Sequence, residues 1–181
     1  MIKWILVALA GLMIPGCVQE KVRPAVKADI ISKEIPAQES WKPIITITDS
    51  GNTKAVIHSG HLVVLSQAQE TILDEGLQVD FYNRMQIIST TLTSKRGKVD
   101  DRTKNLYAYE NVVAKNDSGV VLQTEVLVWN NNTEKITTDK FVTITTPTEK
   151  LQGYGFESDQ FLHNYVIFKI VYVTNVKSAN E

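Results

Sequence analysis

Residues 119–159 decide the fold: GVVLQTEVLVWNNNTEKITTDKFVTITTPTEKLQGYGFESD. From Val120 to Trp129 the side chains sort onto two faces with a period of two, which a pleated strand produces and an α-helix does not. Asn130–Asn132 break this pattern, because Asn tolerates the left-handed conformations that hairpin turns need. A second strand is predicted at Lys135–Thr145, and it ends before Pro147, which has no N–H for a ladder. The stretch predicts an antiparallel meander.

Similar segments, separated by turns rich in Gly, Asn and Asp, continue in both directions along the chain. The other predicted strands are Ile44–Thr48, Ala55–Ser59, His61–Ser66, Leu77–Tyr82, Met85–Ser94, Leu106–Lys115, Lys150–Phe156 and Asn164–Thr174. Many short strands at near-regular spacing predict an all-β sandwich, roll or barrel. Gln67–Glu75 is open to two interpretations, a helical insert that Gly76 ends or an extended connection.

The first sixteen residues have the pattern of a signal peptide. Lys3 supplies a positive charge, and Trp4–Ile14 is apolar but shorter than the roughly 20 residues that a membrane-spanning helix needs. Gly16 then precedes Cys17, the one cysteine in the sequence. This arrangement resembles a bacterial lipoprotein signal, which implies cleavage before Cys17 and a palmitate-bearing lipid anchor on that residue. The alternatives are an ordinary secretory signal followed by a chance cysteine, or a buried cysteine in an uncleaved helix.

The composition divides the remaining chain into a tether, a β domain and a tail. Residues 17–42 are charged, contain prolines and show no sustained period, so we expect a lipidated Cys followed by a tether. The predicted β domain covers residues 43–176, and residues 177–181 form a short tail. The formal net charge of −1 provides no basic face for nucleic acid. A single cysteine also excludes an intramolecular disulfide, so stability must come from the core.

Four segments resemble the LptC family of lipopolysaccharide-transport proteins: YAYENVV at Tyr107–Val113, GVVLQTEVLVWN at Gly119–Asn130, EKITTDKFVTI at Glu134–Ile144 and LQGYGFESDQFL at Leu151–Leu162. The resemblance covers the chain after its N-terminal third, and its most specific motif is the Gly-x-Gly-Phe-x-Ser-Asp turn. It implies an open β-jellyroll in the periplasm with no enzymatic activity and no cofactor. The family's usual anchor is one transmembrane helix, so the lipoprotein signal is a departure.

The resemblance also implies a route for the lipid. Lipopolysaccharide would arrive from an inner-membrane ABC transporter, and its acyl chains would lie along the apolar inside of the fold. The lipid would then pass to an LptA-like periplasmic β-jellyroll protein that pairs with an edge strand. This role predicts attachment to the inner membrane rather than the outer one.

Alternation suggests which side chains would line the inside. In the last strand one face is largely apolar, and we expect it to point inward with five residues of the preceding strands. The predicted lipid-lining residues are Leu122, Val126, Val128, Val142, Ile144, Val166, Phe168, Ile170 and Tyr172. The alternative is that these residues fill a closed core and contact no ligand.

Other clusters carry weaker signals. Lys95–Lys104 is the densest basic run, which would suit lipid phosphates or simply a hydrophilic hairpin tip. His58 and His61 are three positions apart without further ligands nearby in sequence, so we expect turn histidines and no metal site. The acids between Glu70 and Glu75 have no neighbouring base, and we expect no catalytic residue.

Two rival functions stay open from the sequence. One is a structural or adhesion envelope lipoprotein with a closed β-sandwich, which a filled interior would favour. The other is a hydrolase or lectin that acts on envelope polysaccharide, which would need two facing carboxylates or an exposed aromatic platform. Trp41 and Trp129 are the candidates for such a platform.

Overall fold

A computed structural model describes residues 36–175, and the regular structure in this range is entirely β-strand. The strands are β1 (Gln38–Trp41), β2 (Ile44–Asp49), β3 (Asn52–Leu65), β4 (Glu70–Tyr82), β5 (Ile88–Ser94), β6 (Arg96–Asp100), β7 (Leu106–Asn116), β8 (Val121–Asn130), β9 (Lys135–Thr145), β10 (Glu149–Asp159) and β11 (Tyr165–Asn175). Residues 36–175 contain no helix that could cross a membrane. The all-β prediction is confirmed. The predicted signal peptide, Cys17, the tether as far as residue 35 and the predicted tail lie outside the described residues.

The eleven strands form one antiparallel sheet in the order β1-β3-β4-β5-β7-β8-β9-β10-β11. Two short strands extend it, since β2 pairs with β3, and β6 pairs with both β4 and β7. Three long strands, β3, β4 and β7, change one neighbour halfway along. For example, β3 pairs with β2 through Ala55–His58 and with β1 through His61–Val64. These strands therefore belong to two halves of the sheet, which we call the first layer, containing β2 and β5, and the second layer, containing β1 and β6.

The sheet folds over on itself at these midpoints, as expected for a jellyroll-like roll. The register shifts at Gly60 in β3, at Glu110 and Asn111 in β7, and at Gly155 in β10. Glu110, Asn111 and Gly155 also have positive φ angles of 65°, 53° and 73°. An extra residue in one strand of a pair bends that strand and increases its twist. A row of such bulges across neighbouring strands bends the whole sheet along one line.

The core fills the space between the two layers. Phe81 in the first layer and Trp129 in the second pack with ring centroids 5.3 Å apart, and both side chains are 1% exposed. The Trp129 indole N–H donates a 2.9 Å hydrogen bond to the side-chain oxygen of Gln160. These buried side chains pack against one another between the layers, as protein interiors do.

The strand boundaries differ from the sequence prediction in several places. The two predicted strands Ala55–Ser59 and His61–Ser66 form one continuous strand, β3, and β5 begins at Ile88 rather than at Met85. Strand β1 lies inside the segment predicted as a tether, because mostly exposed residues give an edge strand no apolar period. Strand β6 lies in the basic run that we expected to form a turn or tip; its charged side chains face outward while Gly97 and Val99 are buried. The extended interpretation of Gln67–Glu75 is the correct one, since strand β4 begins at Glu70.

Candidate functional site

An apolar cleft opens between the two layers beside strand β2, and we call it the β2–β6 cleft. Its volume is about 370 Å³. The lining residues are Ile45, Thr46, Ile47, Thr48, Ile57, Thr71, Val99, Asp101 and Lys104. Strand β2 pairs only with β3, so its outer edge has no neighbouring strand within residues 36–175. The cleft is therefore a lateral opening of the roll at one margin of the sheet.

The alternation of β2 creates the first wall of the cleft. In IITITD, Ile45 and Ile47 are half-buried and pack against the core, whereas the other residues of the strand are exposed. Ile57 and Val99 are buried at 1% and 7% exposure, and they supply apolar surface from β3 and β6. Aliphatic side chains on both layers leave this space better suited to a hydrocarbon chain than to water.

The mouth of the cleft carries one anion and one cation. The Asp101 carboxylate accepts hydrogen bonds from the Thr71 hydroxyl at 3.0 and 3.2 Å. Lys104 stands on the turn that follows β6, with a φ of 59°, and its N–H donates to the Asp100 carbonyl at 2.7 Å. The two side chains do not form an ion pair with each other. The apolar interior of the cleft is thus bordered by charged groups at its entrance.

Hydrogen bonds fix the turn that holds these charges. The Asp100 carboxylate accepts from the backbone N–H groups of Arg102 at 2.9 Å and Thr103 at 3.0 Å. These two bonds lower the pKa of Asp100 below its ordinary value because they stabilise the ionised form, and the bond from Thr103 has the larger effect. An ionised Asp100 therefore accepts both of these hydrogen bonds at neutral pH and stabilises the turn.

The last strand forms the other margin of the sheet. Within the described range β11 pairs with β10 alone, so its second edge presents unpaired backbone groups. Six apolar side chains of this strand are 51–69% exposed: Val166, Phe168, Ile170, Val171, Tyr172 and Val173. A strand edge that is both unpaired and apolar has the properties of an interaction surface.

The predicted lining residues do not share one face. Leu122, Val142 and Ile144 point inward and are at most 1% exposed, so they belong to the packed core. Val126 and Val128 lie on the outer face, and the prediction that they point inward is wrong. The reason is the bend in β8, where the register shifts between Thr124 and Val128 and the buried positions become odd-numbered.

The four predicted residues of β11 are all exposed, and they also divide between two faces. Ile170 lies opposite Gly153, which lies opposite the buried Val142, so Ile170 is in register with the inner face. Val166 and Tyr172 lie opposite Glu157 and Gln152 on the outer face. Phe168 borders a surface groove with Val126 and Val128. The bulge at Val171 and the bend at Gly155 change the face along the strand.

The histidines that we expected in a turn lie within strand β3. His61 contacts two carboxylates, those of Glu39 and Asp74, through its two ring nitrogens. Within residues 36–175, no group of three His, Cys, Asp or Glu side chains could hold a metal ion. The Gly-x-Gly-Phe-x-Ser-Asp motif, which we expected to form a turn, instead lies within strand β10, and Gly155 marks a bulge there.

Sequence reasoning missed the residues of the cleft. Ile45 and Ile47 stood in a predicted strand, but nothing in their alternation distinguished a cleft wall from an ordinary core face. Val99 lies in the basic run, which we interpreted only from its charged residues. Gly97 and Val99 alternate with charged side chains, and this period of two is typical of a strand. The meeting of these residues depends on the folding over of the sheet.

Two comparisons with known proteins bear on the identity of the chain. The family model described as "Lipopolysaccharide-assembly, LptC-related" matches residues 6–167. No curated protein matches the chain. The family match extends further toward the N-terminus than the resemblance of the strand motifs, and it includes Cys17.

Proposed function

The chain belongs to the LptC-related family of lipopolysaccharide assembly, and we propose that its β2–β6 cleft receives acyl chains of lipopolysaccharide from an inner-membrane ABC transporter. Membership in this family gives the chain a role in lipopolysaccharide transport as a periplasmic, inner-membrane-associated component. Members of this family are transport components, and the family is not a known enzyme family. The finer steps of the route are our proposal.

The apolar cleft is the single observation that carries the proposal. It is open to solvent at the margin of the sheet, and four aliphatic side chains from β2, β3 and β6 line it. Each CH₂ group that moves from water into such a site gains about 0.8 kcal/mol. The sugars and phosphates of the lipid would remain outside, where water satisfies them.

The filled core constrains how the lipid is held. Leu122, Val142 and Ile144 are buried against other core residues, and an acyl chain in their place would have to displace them. Displacing packed core side chains costs several kcal/mol. The acyl chain therefore lies along the margin of the roll, in the β2–β6 cleft, and not through its centre.

The free edge of β11 supports the second half of the route. An LptA-like periplasmic β-jellyroll protein would add one of its strands to this edge, with main-chain hydrogen bonds supplying affinity. The exposed apolar residues, such as Ile170 and Val171, would then be covered by the partner. This pairing would extend the sheet and place the two proteins edge to edge.

We keep the lipid anchor on Cys17 as a part of the proposal. It rests on the sequence, in which Lys3, the apolar segment and Gly16 precede the cysteine. Metabolic labelling with palmitate, in cells that express the chain or its Cys17→Ser variant, tests it. We expect label on the unaltered chain alone. An unlabelled chain that still fractionates with the inner membrane would show that the anchor is of another kind.

Photocrosslinking in cells tests the cleft itself. A photoreactive residue at Ile47 should capture lipopolysaccharide, and the capture should require ATP hydrolysis by the transporter. Gln123, exposed on the outer face of β8, is the matched control position and should capture none. Capture at Leu122 but not at Ile47 would place the lipid in the centre of the roll. Absence of capture at every position would contradict a lipid-binding role.

A further inference from the structure

Within residues 36–175, Lys104 is a cation at the mouth of the cleft without an anionic partner. The arginines and Lys98 of the same basic run are neutralised: Arg96 pairs with Glu110, Lys98 with Glu70 at 2.7 Å, and Arg102 with Asp100 at 3.7 Å. Lys104 is exposed and forms none of these pairs. Of the basic residues in the run, Lys104 is the one that lines the cleft.

The position of Lys104 is fixed by its backbone. Its N–H donates to the Asp100 carbonyl, and the Asp100 carboxylate in turn holds Arg102 and Thr103. The Asp101 N–H donates to the Gln69 carbonyl at 2.9 Å, which ties the same turn to the start of β4. A flexible side chain on a fixed turn can turn its ammonium toward a group outside the cleft while its base stays beside the apolar wall.

The neighbouring carboxylate, that of Asp101, does not form an ion pair with Lys104. Asp101 also borders the cleft, but its two oxygens accept from the Thr71 hydroxyl, which is buried at 8% exposure. This contact holds the Asp101 carboxylate against the second layer. The ammonium of Lys104 keeps its three donors for a ligand.

We propose that Lys104 binds a phosphate of the lipid whose acyl chain lies in the β2–β6 cleft. The inference rests on the proposed function and adds the recognition of the headgroup to it. An apolar cleft with a cation at its mouth is complementary to a phosphorylated amphiphile, because hydrocarbon enters the cleft while the phosphate meets the ammonium outside. Charge-assisted hydrogen bonds from Lys to phosphate are stronger than neutral ones.

Equilibrium binding of two lipids to the purified full chain tests the proposal. The probes are fluorescently labelled lipid A that carries its phosphates and the same lipid A after enzymatic dephosphorylation. We expect Lys104→Gln to weaken binding of phosphorylated lipid A about tenfold and to leave binding of the dephosphorylated lipid unchanged. Lys104→Arg should keep most of the affinity for the phosphorylated lipid.

One further variant serves as the matched control. Lys95→Gln removes an exposed lysine of the same run that does not line the cleft, and it should leave both affinities unchanged. A second variant changes the cleft itself, since Asp101→Asn removes the neighbouring negative charge and should strengthen binding of phosphorylated lipid A a few-fold. A weakening by Asp101→Asn would mean that the carboxylate and not the lysine positions the ligand.

Each remaining outcome separates the two proposals. If Lys104→Gln lost the same affinity for both lipids, or lost no affinity for either, the phosphate contact would be overturned. Binding of lipid by the unaltered chain would still support the cleft. Binding of inorganic phosphate at Lys104, with no discrimination between the two lipids, would assign the lysine to the free ion and overturn the headgroup contact. No binding of either lipid by the unaltered chain would overturn the proposed function and this inference with it.

Discussion

The imidazole Nδ1 of His61 lies 2.8 Å from Oδ1 of Asp74, its cross-strand partner on β4. The other ring nitrogen, Nε2, lies 2.8 Å from a carboxylate oxygen of Glu39 on β1. Both nitrogens can donate only when the ring is protonated. The hydrogen bond to Glu39 and then that to Asp74 accordingly raise the pKa of His61 above 6.5. When it is protonated, this one ring on β3 connects the edge strand β1 with β4.

Strand β1 should therefore be held less firmly as pH rises through the folded-state pKa of His61. A pKa that is raised in the folded state stabilises fully below the unfolded value of about 6.5, and this contribution is lost as pH rises through the folded value. We expect the free energy of unfolding to fall over that window, and hydrogen exchange of Trp41 and its neighbours to accelerate. In His61→Gln the same pH increase should change neither quantity through this group. An identical pH profile in both proteins would contradict the role of His61.

The buried pair of Trp129 and Gln160 should be important for stability. Their side chains are 1% and 2% exposed, and the hydrogen bond between them is the interaction that satisfies the indole N–H. Gln160→Ala leaves this donor buried without a partner, and we expect it to lower the free energy of unfolding by about 1–3 kcal/mol. Chemical denaturation followed by circular dichroism measures the loss. Gln123→Ala, at an exposed site, is the control and should change stability by less than about 0.5 kcal/mol.

Gly155 should tolerate no side chain. Its φ is +73°, and a Cβ there would lie 2.8 Å from Cδ2 of Phe168. We expect Gly155→Ala to destabilise the fold by about 1–3 kcal/mol, because both the backbone conformation and the contact are unfavourable. Phe168→Ala in the same chain removes the ring and should restore only part of the loss. Full restoration would show that the backbone at Gly155 is unstrained, and thermal denaturation of the three variants distinguishes these cases.

The edge of β11 should depend on its apolar character for partner binding but not for folding. Val171 is 60% exposed and stands at a bulge without a Cα partner on β10. We expect Val171→Glu to weaken binding of an LptA-like β-jellyroll protein about tenfold, since a charge would be buried on pairing. The unfolding midpoint should stay unchanged. Gln123→Glu, which places the same charge away from both edges, should bind normally, and equal affinities for all three proteins would exclude β11 as the docking edge.

Local patterns predicted most strands, because alternation and turn residues that lie close together in sequence determine where a hairpin forms. The period of two placed β8 within one residue at each end and β9 at its observed bounds, Lys135–Thr145. The same rule failed for the faces of β8, because it assumes that the strand continues straight. Thr124 is buried, then Leu127 is buried, and the odd spacing at the bend moves Val126 to the outside. Whether a strand bends depends on the strands beside it, which the local pattern does not contain.

The sequence by itself determined the fold class, the family and the antiparallel order of the C-terminal hairpins, since each depends on residues close together in the chain. Only the tertiary structure decided where the roll is open. The cleft joins Ile47 on β2 with Val99 on β6, and no alternation links two such distant segments. They meet because bulges fold the sheet over, and this places Lys104 of the basic run at the entrance. Local side-chain periodicity fixes strands, whereas the bend of the whole sheet fixes which surfaces remain for a ligand.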